Sequence, residues 1–155
     1  MDVRLINPFI DATLNVLETM AQVTSEPGKP YLKTNDIAKG EVTGLIGLSG
    51  DINVSISVSF DRGSILKIVS NMLGEEMTEV NADISDAVGE LTNMISGQAR
   101  KGLEVIGTTY MAVIPTVISG KTHKINHSVN GPKIAIPFKT ETGEFTIEVC
   151  LENAK

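Results

Sequence analysis

Asp86, Glu90 and Asn93 are spaced four and then three residues apart within the segment Ser85 to Gly97. An α-helix turns about 100° per residue, so all three fall within roughly 60° of arc, with Gly97 in the same stripe. Ile84, Ala87, Val88, Leu91 and Ile95 occupy an arc of about 100° on the opposite side. A Glu and an Asn on neighbouring turns therefore project side by side into water. The carboxylate can pair with a cation on a partner. The amide donates and accepts at once, so it can hold a water molecule in one orientation. Asn and Gly weaken an exposed helix interior, so helix stability does not explain their presence. A Glu and an Asn supply no nucleophile, and the chemistry they fit is completion of a site brought by another protein.

Plain helix physics offers a competing account. If Asp83 is the N-cap, Asp86 stands in the first turn, where a carboxylate suits the helix dipole, and Glu90 is an ordinary solvated residue. Other catalytic kits are missing from the chain: no Gly-rich phosphate loop, no Gly-x-Ser-x-Gly elbow, no His-Glu-x-x-His helix. His123 and His127 fall in a stretch that reads as a loop, with no carboxylate or Cys nearby in sequence, so no metal site is expected. Cys150 is the only cysteine and reads as an inert small residue.

The elements that must position this stripe follow from periodicity. Asn7-Pro8 predicts a helix start, with Asn as N-cap and Pro at the first helical position, and an apolar stripe from Phe9 runs to about Val23. Ser25 to Pro30 ends it, and a short strand is expected at Tyr31 to Thr34. Strands are predicted at Glu41 to Leu48 and Ile52 to Phe60, joined at Ser49-Gly50-Asp51. The second sets Ile52, Val54, Ile56, Val58 and Phe60 against Asn53, Ser55, Ser57 and Ser59, which predicts one buried face and one wetter face. Asp61 caps a helix that ends at Gly74. The helix of the polar stripe spans Asp83 to Val105. Strands follow at Tyr110 to Ile118, Lys133 to Thr140 and Glu144 to Leu151, the last two joined through Glu141-Thr142-Gly143.

The order reads helix, three strands, helix, helix, three strands: a doubled helix-plus-three-strand unit with one extra helix between the halves. Asp11, Asn15 and Glu18 on the first helix repeat the spacing of Asp86, Glu90 and Asn93, with amide and second carboxylate exchanged. This predicts an α+β fold, long helices packed on a mainly antiparallel sheet, in a single domain over residues 1–155. With 19 acidic against 13 basic residues and a formal net charge of -6, nucleic acid is not an expected partner. Neither a signal peptide nor a membrane span is read, so a cytoplasmic protein is expected.

Asp86-x-x-x-Glu90-x-x-Asn93, followed by Met94-Ile95-Ser96-Gly97, resembles the signature helix of the CheC/CheX/FliY family of chemotaxis phosphatases. The opening Ile6-Asn7-Pro8-Phe9-Ile10 and the run Asn15-Val16-Leu17-Glu18-Thr19-Met20 resemble the first helix of CheX-type members, and the doubled order matches over essentially the whole chain. The resemblance implies a phosphatase for the aspartyl phosphate of phosphorylated CheY-like receiver domains. Asn93 would orient the attacking water and Glu90 would pair with the receiver's lysine. Asp86 and Gly97 would border the partner contact. No cofactor is expected on this chain; Mg²⁺ would belong to the receiver. The reversed Asn15 and Glu18 imply one site per chain, the CheX pattern, and CheX-type members form homodimers. The alternative is a non-catalytic module of the same fold that binds a receiver or a flagellar-switch component.

Overall fold

The computed structural model describes residues 3–50, 52–105, 107, 109–112 and 114–153. Asp51 of the expected turn and Val113 of the expected strand lie outside them. In chain order the elements are α1 (Val3–Ala21), β1 (Glu26–Pro27), β2 (Tyr31–Lys33), β3 (Val42–Ser49), β4 (Val54–Phe60), α2 (Arg62–Leu73), α3 (Ala82–Val105), β5 (Met111–Ala112), β6 (Thr116–Ser119), β7 (Lys133–Lys139) and β8 (Glu144–Leu151). The strands form one antiparallel sheet in the order β1-β7-β8-β4-β3-β5, with β2 also on β7 and β6 also on β3. The α+β reading with long helices on a mainly antiparallel sheet holds.

Its doubling is visible in the pairing. Hairpins β3–β4 and β7–β8 meet along β4 and β8, with Ser57 opposite Glu148 at the middle of that ladder. Each half then lends its first two strands to the other: β1 and β2 lie on β7, and β5 and β6 lie on β3. Neither half is complete without its counterpart, so one core serves both. That core contains Phe9, Val16 and Leu17 of α1, Ile65, Ile68 and Val69 of α2, and Ile84, Val88, Leu91 and Ile95 of α3. They pack against the inward row Val54, Ile56, Val58 and Phe60 and its neighbours. Phe138 stacks on Phe145 at 4.8 Å between ring centroids, and Phe145 tilts against Phe60 at 5.3 Å.

Four expectations need correction. The first helix begins at Val3 rather than behind an Asn7 cap, and Pro8 lies inside it. Pro8 cannot donate to the carbonyl four residues back, yet Ile6 is buried in the core and Leu5 packs against it, which favours continuing the helix upstream. The cap of α3 is Asn81, whose Oδ1 accepts from Ile84 N at 3.2 Å, so Asp83 is a first-turn residue and not the cap. The strand expected at Tyr110 to Ile118 is two short pieces, β5 and β6, and a further two-residue strand, β1, lies where only a break was expected. By contrast, α2 has the expected ends: Asp61 accepts from Ser64 N at 2.8 Å, and Gly74 closes the helix at φ 72°.

The largest departure concerns the sheet's second face. Ser55, Ser57, Ser59, Thr146, Glu148 and Cys150 point away from the helices, yet all are buried. Residues 120–132 cross this face as a strap, tied to the chain before β3 by Ala38 N to His123 O at 2.9 Å and Ile125 N to Asp36 O at 2.7 Å. Both histidines are its rivets. His123 Nε2 lies 2.6 Å from Thr43 Oγ1, which itself bonds Ser59 Oγ at 2.9 Å. His127 lies between Ser55 Oγ at 2.7 Å and Glu148 Oε1 at 3.1 Å, and Lys33 Nζ reaches Glu148 Oε2 at 2.5 Å. The carboxylate beside His127 thus comes from β8, remote in sequence. Ser128 N also donates to Ser55 Oγ at 3.3 Å, so the strap is tied to β4 through backbone as well as side chain. Burial pushes the Cys150 thiol up, as an inert residue requires.

Burial on its own would raise the Glu148 carboxyl, but hydrogen bonds from His127 and Lys33 outweigh it and hold the pKa below the ordinary value of 4.5. A carboxyl depressed in the folded state contributes stability above its unfolded pKa and loses it as pH falls through the folded one. Wild-type stability should therefore decline as pH drops below 4.5. Glu148→Gln, which strands the Lys33 ammonium, should cost about 3–5 kcal/mol at pH 7 and flatten that acid limb. Urea unfolding followed by circular dichroism from pH 7 downward checks both; an unchanged midpoint at pH 7 would refute the role given to the pair.

Candidate functional site

Helix α3 lies across β3 and β6, and its seating depends on missing side chains beneath it. A Cβ on Gly44 would stand 1.9 Å from Thr92 Oγ1 and 2.9 Å from Thr92 Cβ, so only glycine lets the helix sit this close. Thr92 keeps its hydroxyl satisfied by donating to Val88 O at 2.7 Å. One turn earlier Gly89 faces Val117, 3.4 Å from where its Cβ would be. On the flank toward α1, a Cβ on Gly102 would lie 3.0 Å from Pro8 Cβ, so that the two helices also pack closely. Ile84, Ala87, Val88, Leu91 and Ile95 are buried as the periodicity predicts.

The opposite face of α3 carries the polar stripe. Asp86, Glu90 and Asn93 are exposed and Gly97 is half-buried. Among the described residues no side-chain hydrogen bond or ion pair engages the first three; Asn93 takes part only through its carbonyl, which accepts from Ser96 Oγ at 2.9 Å. The amide and carboxylate are therefore free for a partner while their backbone is held by a buried helix face.

Helix α1 lies beside α3 with Asp11, Asn15 and Glu18 also exposed. Its amide is engaged: Asn15 Nδ2 donates to Gln98 Oε1 at 2.7 Å, and Thr19 Oγ1 approaches Asn15 Oδ1 at 3.5 Å. A groove of about 530 Å³ lined by Asn7, Pro8, Asp11, Asn15, Gln98 and Gly102, among others, runs along the junction of the two helices there. The pseudo-equivalent stripe thus differs from that on α3 in its order of groups and in its hydrogen bonding.

The family model for the chemotaxis phosphatase CheX matches residues 42–139, from the start of β3 through β7. The chain belongs to the CheX family. It is 31% identical to the CheY-P phosphatase CheX of Thermotoga maritima over 126 residues, 81% of each chain. The crystal structure of a chemotaxis protein CheX from Desulfovibrio desulfuricans is 49% identical, with a TM-score of 0.89 over 96% of this chain and 99% of that one. The CheX of Borrelia burgdorferi, solved as a CheX–CheY–BeF₃–Mg²⁺ complex, is 26% identical, with a TM-score of 0.81 over 96% and 97% of the two chains. Likeness to Thermotoga maritima FliY, at 14% identity and a TM-score of 0.69, extends to the fold.

Sequence reasoning found the stripe but missed what surrounds it. Arg100, two turns beyond Asn93 and close to it in angle, lies with Nη2 3.9 Å from the place of a Gly97 Cβ, and its Nη1 donates to Tyr110 O at 3.5 Å. The i, i+7 spacing was available as a signal; the fold of its guanidinium across a glycine was not. If the seat of α3 rests on Gly44, then Gly44→Ala should cost about 1–3 kcal/mol through overpacking. Adding Thr92→Ala should recover part of that loss. A thermodynamic cycle from urea unfolding of both single variants and the double variant measures the coupling, and strict additivity would remove the contact from the account.

Proposed function

We propose that the exposed stripe of α3 enters the phosphorylation site of a CheY-like receiver, with Asn93 orienting the attacking water and Glu90 pairing with the receiver's lysine. The protein is a chemotaxis phosphatase that removes the phosphoryl group from a receiver's aspartyl phosphate. The observation that carries the residue roles is the pair itself: two unengaged polar side chains, neighbours on the exposed face of a helix whose other face is buried.

Water attacks phosphorus opposite the aspartyl oxygen, the phosphorus–oxygen bond breaks, and the aspartate leaves as carboxylate while the water oxygen ends in inorganic phosphate. Such transfer depends on positioning and charge stabilisation more than on covalent help from the protein. An amide that accepts a hydrogen bond from water and is fixed on a rigid helix meets that need. Glu90 sets the register by pairing with a cation across the interface. Asp86 lies on the rim beside Glu90, and Gly97 leaves room for the partner's backbone.

In this reading Mg²⁺ is held by the receiver. Among the described residues of this chain no group of three or more His, Cys, Asp or Glu is arranged to bind a metal. Nor is any helix of the described residues long and apolar enough to cross a membrane, and a receiver substrate sets the reaction in the cytoplasm. Residues 1–155 act as one domain, since the halves exchange strands and share a core. A homodimer is part of the proposal: β2 is at a sheet edge with Tyr31 and Leu32 exposed, a surface able to pair with a second copy. Sedimentation velocity should give twice the monomer mass, and a monomer at micromolar concentration would rule the dimer out.

The deciding experiment follows phosphate loss from a Mg²⁺-loaded, phosphorylated CheY-like receiver of the same organism. Wild type should accelerate it. Asn93→Ala should lower the rate by about 10²-fold or more, as loss of a transition-state positioning group does, while receiver affinity stays within about twofold. Glu90→Ala should instead weaken affinity. Binding without acceleration by wild type would identify the non-catalytic docking module.

A further inference from the structure

Helix α3 presents Asp83, Asp86, Glu90 and Glu104 along its length and only two cations, Arg100 and Lys101. The chain carries a net charge of -6. An acyl phosphate is anionic, and a helix that offers it only carboxylates would repel what it must approach. The cation best placed to offset this is Arg100.

Three observations define its state. Arg100 lies seven residues after Asn93, about 20° away around the helix and about 10.5 Å along it. Helical side chains lean toward the N-terminus, and the guanidinium does so here, its Nη2 lying over Gly97, one turn from Asn93. The group is also poorly satisfied. Of five N–H donors, the one hydrogen bond it makes among the described residues is the long contact with Tyr110 O at 3.5 Å, and its buried Nε has no partner. A half-buried guanidinium in this state has donors to offer.

We propose that Arg100 is a third partner-binding residue of the site, a clamp for an oxyanion of the phosphorylated receiver, either a phosphoryl oxygen or a carboxylate bordering it. The inference rests on the docking reading given above. It also gives Gly97 a second reason to be small: a larger side chain there would stand between the guanidinium and Asn93. Arg suits the task because its planar fork remains charged at any working pH and matches an oxyanion in two bonds.

Wild type, Arg100→Gln and Arg100→Lys would be compared in steady-state phosphate release, together with affinity for the Mg²⁺-loaded receiver with and without beryllofluoride. Thermal melts of each variant report folding. Arg100→Gln should raise KM about tenfold, the loss of one charge-assisted contact, with kcat within about threefold and a shallower salt dependence. Arg100→Lys should recover part of the affinity. Loss of affinity confined to the beryllofluoride form would identify a phosphoryl oxygen as the ligand; equal loss in both forms would identify a receiver carboxylate. An active wild type with Arg100→Gln unchanged in KM, or changed only in melting temperature and kcat, would overturn the clamp and leave Arg100 as a brace for Tyr110. A wild type inert toward the receiver would overturn the docking reading itself, and the clamp with it.

Discussion

The site depends on an absent side chain. Gly44 in the middle of β3 is the point on which α3 rests, and Thr92, between Leu91 and Asn93 in sequence, fills the space a Cβ would take. The buried face of α3 and the face offered to a partner belong to the same two turns. Whatever fixes Thr92 against the sheet therefore fixes the backbone from which Glu90 and Asn93 project. The role proposed for Asn93, orienting a single water, tolerates little positional slack, since misplacement by about 1 Å can cost on the order of 10²-fold. A tightly packed helix on a glycine seat supplies that rigidity without touching the reacting atoms.

Beneath the helices, the sheet can act as a rigid base because both of its faces are closed. The inner face is closed by apolar burial. The outer face is closed by polar chemistry: Thr43 of β3, Ser55 of β4 and Glu148 of β8 bond a strap held by His123 and His127, with the Lys33–Glu148 ion pair at its centre. Buried ion pairs of this kind contribute little net stability against an apolar replacement, but losing one partner is costly. The arrangement specifies where the strap must lie. Its centre, Glu148 opposite Ser57, coincides with the middle of the β4–β8 ladder where the two halves of the fold meet.

Much of this was legible in the sequence because local physics wrote it there. Period-two alternation marked β4 and β8, Asp61 and Gly74 marked both ends of α2, and helical periodicity sorted α3 into a buried and an exposed face. What was not legible depended on distant partners. Alternation in β4 reports which side chains are polar, and polarity was read as exposure; the groups that bury Ser55 and Glu148 come from as far as 115 residues away, as Lys33 does. Asn7-Pro8 is a sound local start signal, overridden by the burial of Ile6 upstream. Residue types and spacing exposed the stripe, and its family resemblance is matched by the family model. The position of Arg100 over Gly97, and its contact with a strand region ten residues on, needed the fold.

The doubled architecture raises the question of why the two long helices differ. Both carry an acid, an amide and a second acid at the same spacing, and both are exposed on the same layer. Under the roles proposed for Glu90 and Asn93, exchange of the amide and the second carboxylate alone would reverse the polarity with which a receiver's water and lysine are met. The structure adds a second difference, independent of order: Asn15 gives an amide hydrogen to Gln98 of α3, whereas among the described residues no hydrogen bond engages the side chain of Asn93. That bond holds the Asn15 amide against α3, and turning the amide toward a partner's water would cost on the order of 1 kcal/mol. Helix α1 uses its polar stripe to brace α3, and α3 keeps its own stripe free. Duplication supplied two equivalent helices, and the hydrogen bond between them makes one the support of the other.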